Sequence, residues 1–196
     1  MRYAFLLLLL LPGLPAAAQT VLGVKGGLNV ANVNGAAGFF DPRVGFHAGV
    51  FAAGALSERL SLQGEVLYSQ KGFRNDILIE PPQGASQSAR LRFNFAHLDI
   101  PLVLKYRVFK RFTPYAGPQA SVLIGRNASV KGFRPDEVTF SGGAGLQVGV
   151  VAGLGYRITN RLGADVRYSR DLFGSGFYSH AFQAGLNFAL LSKNDK

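Results

Sequence analysis

The stretch His97-Leu98-Asp99-Ile100-Pro101-Leu102-Val103-Leu104-Lys105-Tyr106-Arg107 alternates with a period of two. Leu98, Ile100, Leu102, Leu104 and Tyr106 fall on one face. His97, Asp99, Pro101, Val103, Lys105 and Arg107 fall on the other. Side chains of an extended chain point alternately to opposite sides, so this pattern reads as a β-strand with one apolar and one largely polar face. A helix would scatter the same apolar residues around its circumference.

Working outward, the alternation recurs seven times. Upstream, Leu22, Val24, Gly26, Leu28 and Val30 alternate with Gly23, Lys25, Gly27 and Asn29. Phe46, Ala48, Val50 and Ala52 do so with Gly45, His47, Gly49 and Phe51. Leu60, Leu62, Gly64, Val66 and Tyr68 follow, opposite Ser61, Gln63, Glu65, Leu67 and Ser69. Downstream, segment 112–124 sets Ala116, Ala120, Val122 and Ile124 against Tyr115, Gly117, Gln119 and Ser121. Segment 146–157 sets Leu146, Val148, Val150, Ala152, Leu154 and Tyr156 against Gln147, Gly149, Gly153, Gly155 and Arg157. Leu162, Ala164, Val166 and Tyr168 oppose Gly163, Asp165, Arg167 and Ser169. In the last segment Phe182, Ala184, Leu186, Phe188 and Leu190 oppose Gln183, Gly185 and Asn187.

Segments of roughly ten residues suit a tilted strand crossing a bilayer, and eight is a common even strand number for membrane barrels. The connections add independent support. Ser57-Glu58-Arg59, Phe109-Lys110-Arg111 and Asn160-Arg161 are short, whereas 32–44, 71–92 and 126–141 are long and polar or rich in Gly and Pro; 173–178 is intermediate. Long and short connections alternate when one barrel end faces the exterior and the other a periplasm. The fold expected is therefore all-β: an eight-stranded antiparallel up-and-down transmembrane β-barrel. Tyr68, Tyr106, Phe112, Tyr156 and Tyr168 lie on the apolar face near strand ends, where amphipathic rings favour the membrane interface.

The first residues read as an export signal. Arg2 precedes an apolar run from Phe5 to Leu11, Pro12 and Pro15 break it, and Ala16-Ala17-Ala18 offers a cleavage site after Ala18. That run is too short to span a bilayer as a helix, and no Cys follows it to take a lipid anchor. The expected organisation is a cleaved signal peptide at 1–18, a barrel at 19–191 and a short charged tail at 192–196.

Composition agrees. The chain has 25 Gly and 23 Phe plus Tyr, and is 48% hydrophobic without a membrane-helix run in its mature part, as suits a barrel whose apolar face meets lipid. With no Cys, disulfides, thiol-ligated metals and thiol nucleophiles are excluded. The net charge of +10 raises nucleic-acid binding, but the basic residues are scattered and form no recognition motif. Outer-membrane lipid and lipopolysaccharide phosphates are the expected anionic partners, with no nucleic acid and a monomeric barrel.

Leu60-Ser61-Leu62-Gln63-Gly64-Glu65-Val66-Leu67-Tyr68-Ser69-Gln70-Lys71-Gly72 resembles the third-strand signature of the PorT-like outer-membrane β-barrel family. Segment 97–106 is similar to that family's Y-L-x-I-P-L-x-x-K-Y strand, with His97 in place of the first Tyr. Pro114-Tyr115-Ala116-Gly117-Pro118, Gly153-Leu154-Gly155-Tyr156 and Arg167-Tyr168-Ser169 stand where the family has similar clusters. The chain departs from barrels that end on an aromatic, continuing past Phe188 through Ala189-Leu190-Leu191. The resemblance implies a gram-negative outer-membrane location and, through the family's best-known member, a link to protein secretion.

The inward face collects Lys25, Glu65, Asp99, Lys105, Arg107, Arg157, Asp165 and Arg167, with His47 and His97. Eight strands leave an interior only wide enough for side chains or one small ligand, so these charges read as a structural network rather than a solute path. A structural or interaction role follows, with the exterior loops as contact surfaces and 71–92, bearing Pro81-Pro82, as the leading one. The competing enzyme reading is a lipid-modifying barrel using Ser179 and His180, with Asp171 approaching from the adjacent strand. A further alternative is a soluble periplasmic lipocalin-like ligand-binding barrel, whose apolar face would turn inward. No residue earns a catalytic, cofactor-binding or metal assignment: the three His are dispersed, and Gly142-Gly143-Ala144-Gly145 leads into a strand rather than a phosphate-binding helix.

Overall fold

The computed structural model describes residues 20–34, 41–79, 87–131, 145–174 and 178–192. The expected signal segment 1–18 and tail residues 193–196 lie outside the described residues. Eight strands follow one another: β1 (Thr20–Asn34), β2 (Asp41–Ala55), β3 (Leu60–Ile79), β4 (Gln87–Tyr106), β5 (Phe112–Lys131), β6 (Leu146–Arg157), β7 (Leu162–Gly174) and β8 (Tyr178–Ser192). Each pairs antiparallel with the next, and β1 pairs with β8 from Val21↔Ser192 to Asn34↔Tyr178, so the sheet closes into a barrel. Closure gives each strand a neighbour on both sides, which is how a sheet satisfies its backbone where no water can do so.

The two faces of the wall have opposite chemistry. Leu28, Val50, Val166, Phe182 and Leu186 point outward and are each more than half exposed. Lys25, Glu65, Asp99, Asp165 and Arg167 point inward and are buried. A water-soluble barrel would invert this arrangement, because apolar burial is what drives its folding. The lipocalin-like alternative is set aside on that ground. Outward aromatics gather toward the strand ends: Phe112 and Tyr156 meet edge-on at 5.0 Å beside the short turns, while Phe46–Tyr68 and Tyr168–Phe182 pair at 5.7 and 4.8 Å nearer the other end.

Three strands run furthest past the expected boundaries. β3, β4 and β5 have 20 residues each, against 12 in β6 and 13 in β7. The segment 71–92 is therefore mostly ladder rather than loop: β3 and β4 stay paired out to Ile79↔Gln87, and β4 and β5 out to Arg90↔Lys131. The apolar alternation stops where lipid contact stops, but backbone pairing needs no apolar side chain and continues beyond it. Within the wall, the β4–β5 ladder passes from Pro101↔Gln119 directly to Leu104↔Ala116, beside a proline with no N–H to donate.

Large inward side chains need small partners in so narrow a barrel. A Cβ on Gly153 would lie 2.6 Å from Cζ of Tyr115 and 2.7 Å from Cβ of Arg167, and one on Gly23 would strike the ring of Phe51. Gly153→Val should thus push the Tyr115 ring aside and lower stability by about 1–3 kcal/mol, read from the urea midpoint in lipid vesicles. The parent protein in detergent should change gel mobility on boiling; identical mobility before and after would refute a closed barrel.

Candidate functional site

The lumen holds the chain's densest chemistry, arranged in tiers. Nearest the short turns, Glu65 on β3 is the hub. Its Oε2 accepts from Arg167 on β7 at 2.7 Å, and its Oε1 accepts from Gln63 at 2.7 Å and from Lys25 on β1 at 3.4 Å. Lys25 also donates to Asp165 Oδ2 at 2.8 Å, and the same oxygen accepts from the Tyr115 hydroxyl at 2.6 Å. Lys105 donates to Gln63 at 2.9 Å, and the Arg167 Nε to Gln183. Two cations stand over the Tyr115 ring, Lys25 at 5.9 Å and Lys105 at 5.8 Å from its centroid. Alternation brings these residues to one face, and barrel closure brings β1, β3 and β7 within reach of one another.

A neutral tier sits above. Asn29 donates to Ser69 Oγ at 3.0 Å and to the carbonyls of Phe46 and Gln70, while its own side-chain oxygen lies 2.6 Å from Nδ1 of His47. That oxygen can only accept, so Nδ1 carries the proton. Higher still, Lys71 bonds Asp99 at 3.0 Å, and the backbone N–H and hydroxyl of Ser179 both donate to Asp171.

Six of the eight expected network residues are thus inward and partnered: Lys25, Glu65, Asp99, Lys105, Asp165 and Arg167. Arg107 and Arg157 are not among them. β4 ends at Tyr106, β6 ends at Arg157, and both arginines are exposed at the short-turn rim. Arg107 directly follows β4, and Arg157 closes β6 opposite Gly163, so both stand at the rim, beyond the buried tiers. Lys71, expected at a loop, is instead a buried lumen residue; it continues the odd-numbered series of Gln63, Glu65, Leu67 and Ser69, and that parity was the signal for it.

The lipid-modifying reading loses its geometry. Asp171 does approach from β7, but it is held directly by Ser179, and both are buried inward. His180, the next residue, faces outward beside the Tyr168 ring at 6.3 Å between centroids. A triad needs the imidazole against the hydroxyl, and adjacent strand residues cannot supply that. His97 and Asp99 share the inward face, yet Asp99 is taken by Lys71, and the described residues contain no group of three or more His, Asp or Glu placed to hold a metal ion.

Comparison with known proteins agrees with this architecture. The attachment invasion locus protein Ail of Yersinia pestis superposes with a TM-score of 0.57 at 12% identity, over 88% of this chain and 99% of that one. Neisserial surface protein A superposes with a TM-score of 0.54 at 18% identity, over 85% and 96%. At such identities the likeness is one of fold. No curated protein matches the sequence. The family model described as outer membrane protein beta-barrel domain matches residues 17–175, and with its closed, inside-out barrel the chain belongs to that outer-membrane β-barrel family.

Proposed function

We propose that this outer-membrane barrel is a closed scaffold whose work is done by contact at the cell exterior, through the β3–β4 hairpin, and not by catalysis or bulk solute passage. The observation that carries the reading is the paired extension to Ile79↔Gln87, which carries the ladder well beyond the apolar alternation at the end opposite the short turns. A paired arm keeps its shape without a partner, so less ordering entropy is lost on binding than with a floppy loop. Short turns are periplasmic in barrels of this kind, so in this reading the arm lies outside the cell beside lipopolysaccharide. Residues 1–18 serve in this reading as the cleaved export signal, 19–191 as the barrel and 192–196 as a tail.

The lumen network supports closure. Buried cations and carboxylates that satisfy one another offset their desolvation and fill the bore, so its role in this proposal is structural. The opposed facing of Ser179 and His180 argues against lipid chemistry. The motif resemblances at 60–72 and 97–106 support a PorT-like assignment and, through it, a role beside protein secretion.

Two measurements test the proposal. Because the chain has no Cys, a single cysteine reports its own location. Ser88→Cys should react with a membrane-impermeant maleimide on intact cells, and Ser57→Cys only after permeabilisation; the reverse pattern would defeat the exterior-contact reading. Glu65→Ala leaves Arg167 and Lys25 short of an anion and should cost about 3–5 kcal/mol in vesicle-based urea unfolding, with Glu65→Gln costing less. If Glu65→Ala left stability unchanged while opening the barrel to small sugars in a liposome-swelling assay, the network would be a gate and not a structural fill.

A further inference from the structure

The short-turn end carries a feature that neither closure nor the exterior arm requires. Two of its turns share one design: Leu56-Ser57-Glu58-Arg59-Leu60 and Ile158-Thr159-Asn160-Arg161-Leu162. In each, the second-position hydroxyl accepts the N–H of the fifth residue, at 3.1 Å for Ser57 and 2.9 Å for Thr159. The third turn, Val108-Phe109-Lys110-Arg111-Phe112, has Phe109 at that second position. Phe109 cannot make the bond, and its side chain is left 68% exposed.

Phe109 borders a shallow groove of about 620 Å³, floored by Phe112, Pro114 and Leu154 and edged by Lys110 and Arg111. The floor belongs to the lipid-facing wall. The edge belongs to a rim of like charge: the Arg59 carbonyl accepts the N–H of Arg107 at 2.8 Å, and the Arg111 carbonyl that of Arg157 at 2.9 Å, setting arginines side by side twice. Arg59, Arg107, Lys110, Arg111 and Arg157 are all exposed, and Glu58 is the one exposed acid at this end among the described residues. Like charges on neighbouring strand ends repel, and a counter-anion removes that cost. The Arg111 guanidinium is steadied at 3.3 Å by the Tyr156 hydroxyl.

We propose that this groove is a binding site for one anionic phospholipid of the periplasmic leaflet. Its phosphate sits between Lys110 and Arg111, and an acyl chain lies along Phe109, Phe112, Pro114 and Leu154. The inference rests on the orientation proposed above, in which lipopolysaccharide lies at the opposite end; a soluble acidic protein would have no use for a floor that faces hydrocarbon. Basic side chains at a membrane surface select anionic headgroups by Coulomb attraction, and the apolar floor adds a site-specific hold.

The test is native mass spectrometry of the folded barrel released from micelles containing equal dioleoylphosphatidylglycerol and dioleoylphosphatidylcholine. The phosphatidylglycerol adduct should be favoured on the order of fivefold or more, and Lys110→Gln/Arg111→Gln should bring the ratio near one. Phe109→Ser should reduce retention of the anionic lipid while the headgroup preference persists. Arg59→Gln, outside the groove, should leave the preference intact. Each variant is scored only with the parent's unheated gel mobility; should the double variant fail to fold, Arg111→Gln alone replaces it. Equal retention of both lipids by the parent overturns the proposal, as does an unchanged ratio in the Lys110/Arg111 variant. Equal loss with Arg59→Gln also overturns it, assigning the preference to the whole rim rather than to a site.

Discussion

In the hydrocarbon of a bilayer an unpaired backbone N–H or C=O costs several kcal/mol, and no water arrives to offset it. The rest of this structure depends on how that demand is met. The ladder between β1 and β8 joins the two chain ends of the sheet and leaves no edge within the wall. With the backbone satisfied by its own pairing, outward side chains need only be apolar, and inward ones are released from forming a hydrophobic core. That release is why a stable barrel can bury Lys25, Glu65, Asp165 and Arg167 together.

Charges in such an interior persist only in company. Glu65 takes bonds from three side chains, Asp165 from two, and Tyr115 sits against Lys25, which both carboxylates hold, and Lys105, which bonds Gln63. Gly153 makes the space for that tyrosine. Sterics and electrostatics are therefore one arrangement here: without a hydrogen at position 153 the ring would have no place, and without the ring the Asp165 oxygen would lose a donor.

The two ends of the barrel answer to different surroundings. Beyond the apolar alternation on one side, β3, β4 and β5 continue as a paired ladder, which backbone bonding sustains without an apolar face. At the other end the chain turns back in a few residues, and its basic side chains crowd together beside exposed rings of Phe109 and Phe112. Part of the scattered positive charge of the sequence becomes a localised rim once the turns are brought together.

The sequence by itself determined what is local. Period-two alternation marked all eight strands and the face each residue takes, down to the inward series through Lys25, Glu65, Asp99, Asp165 and Arg167, because side-chain direction along a strand depends only on parity. Tertiary structure alone decided who meets whom. Lys25 finds acids 40 and 140 residues away and Arg167 finds one 102 residues away, pairings set by register and closure, which no local pattern encodes. The same distinction separates Ser179 from His180, neighbours in sequence on opposite sides of the wall, and joins Ser179 to Asp171 across a ladder. It also explains the two arginines that left the network and the strands that outlasted their apolar pattern. Parity fixes a face but not a depth, so residues at the rim stay exposed; hydrophobicity reports contact with lipid, whereas a strand ends where backbone pairing ends.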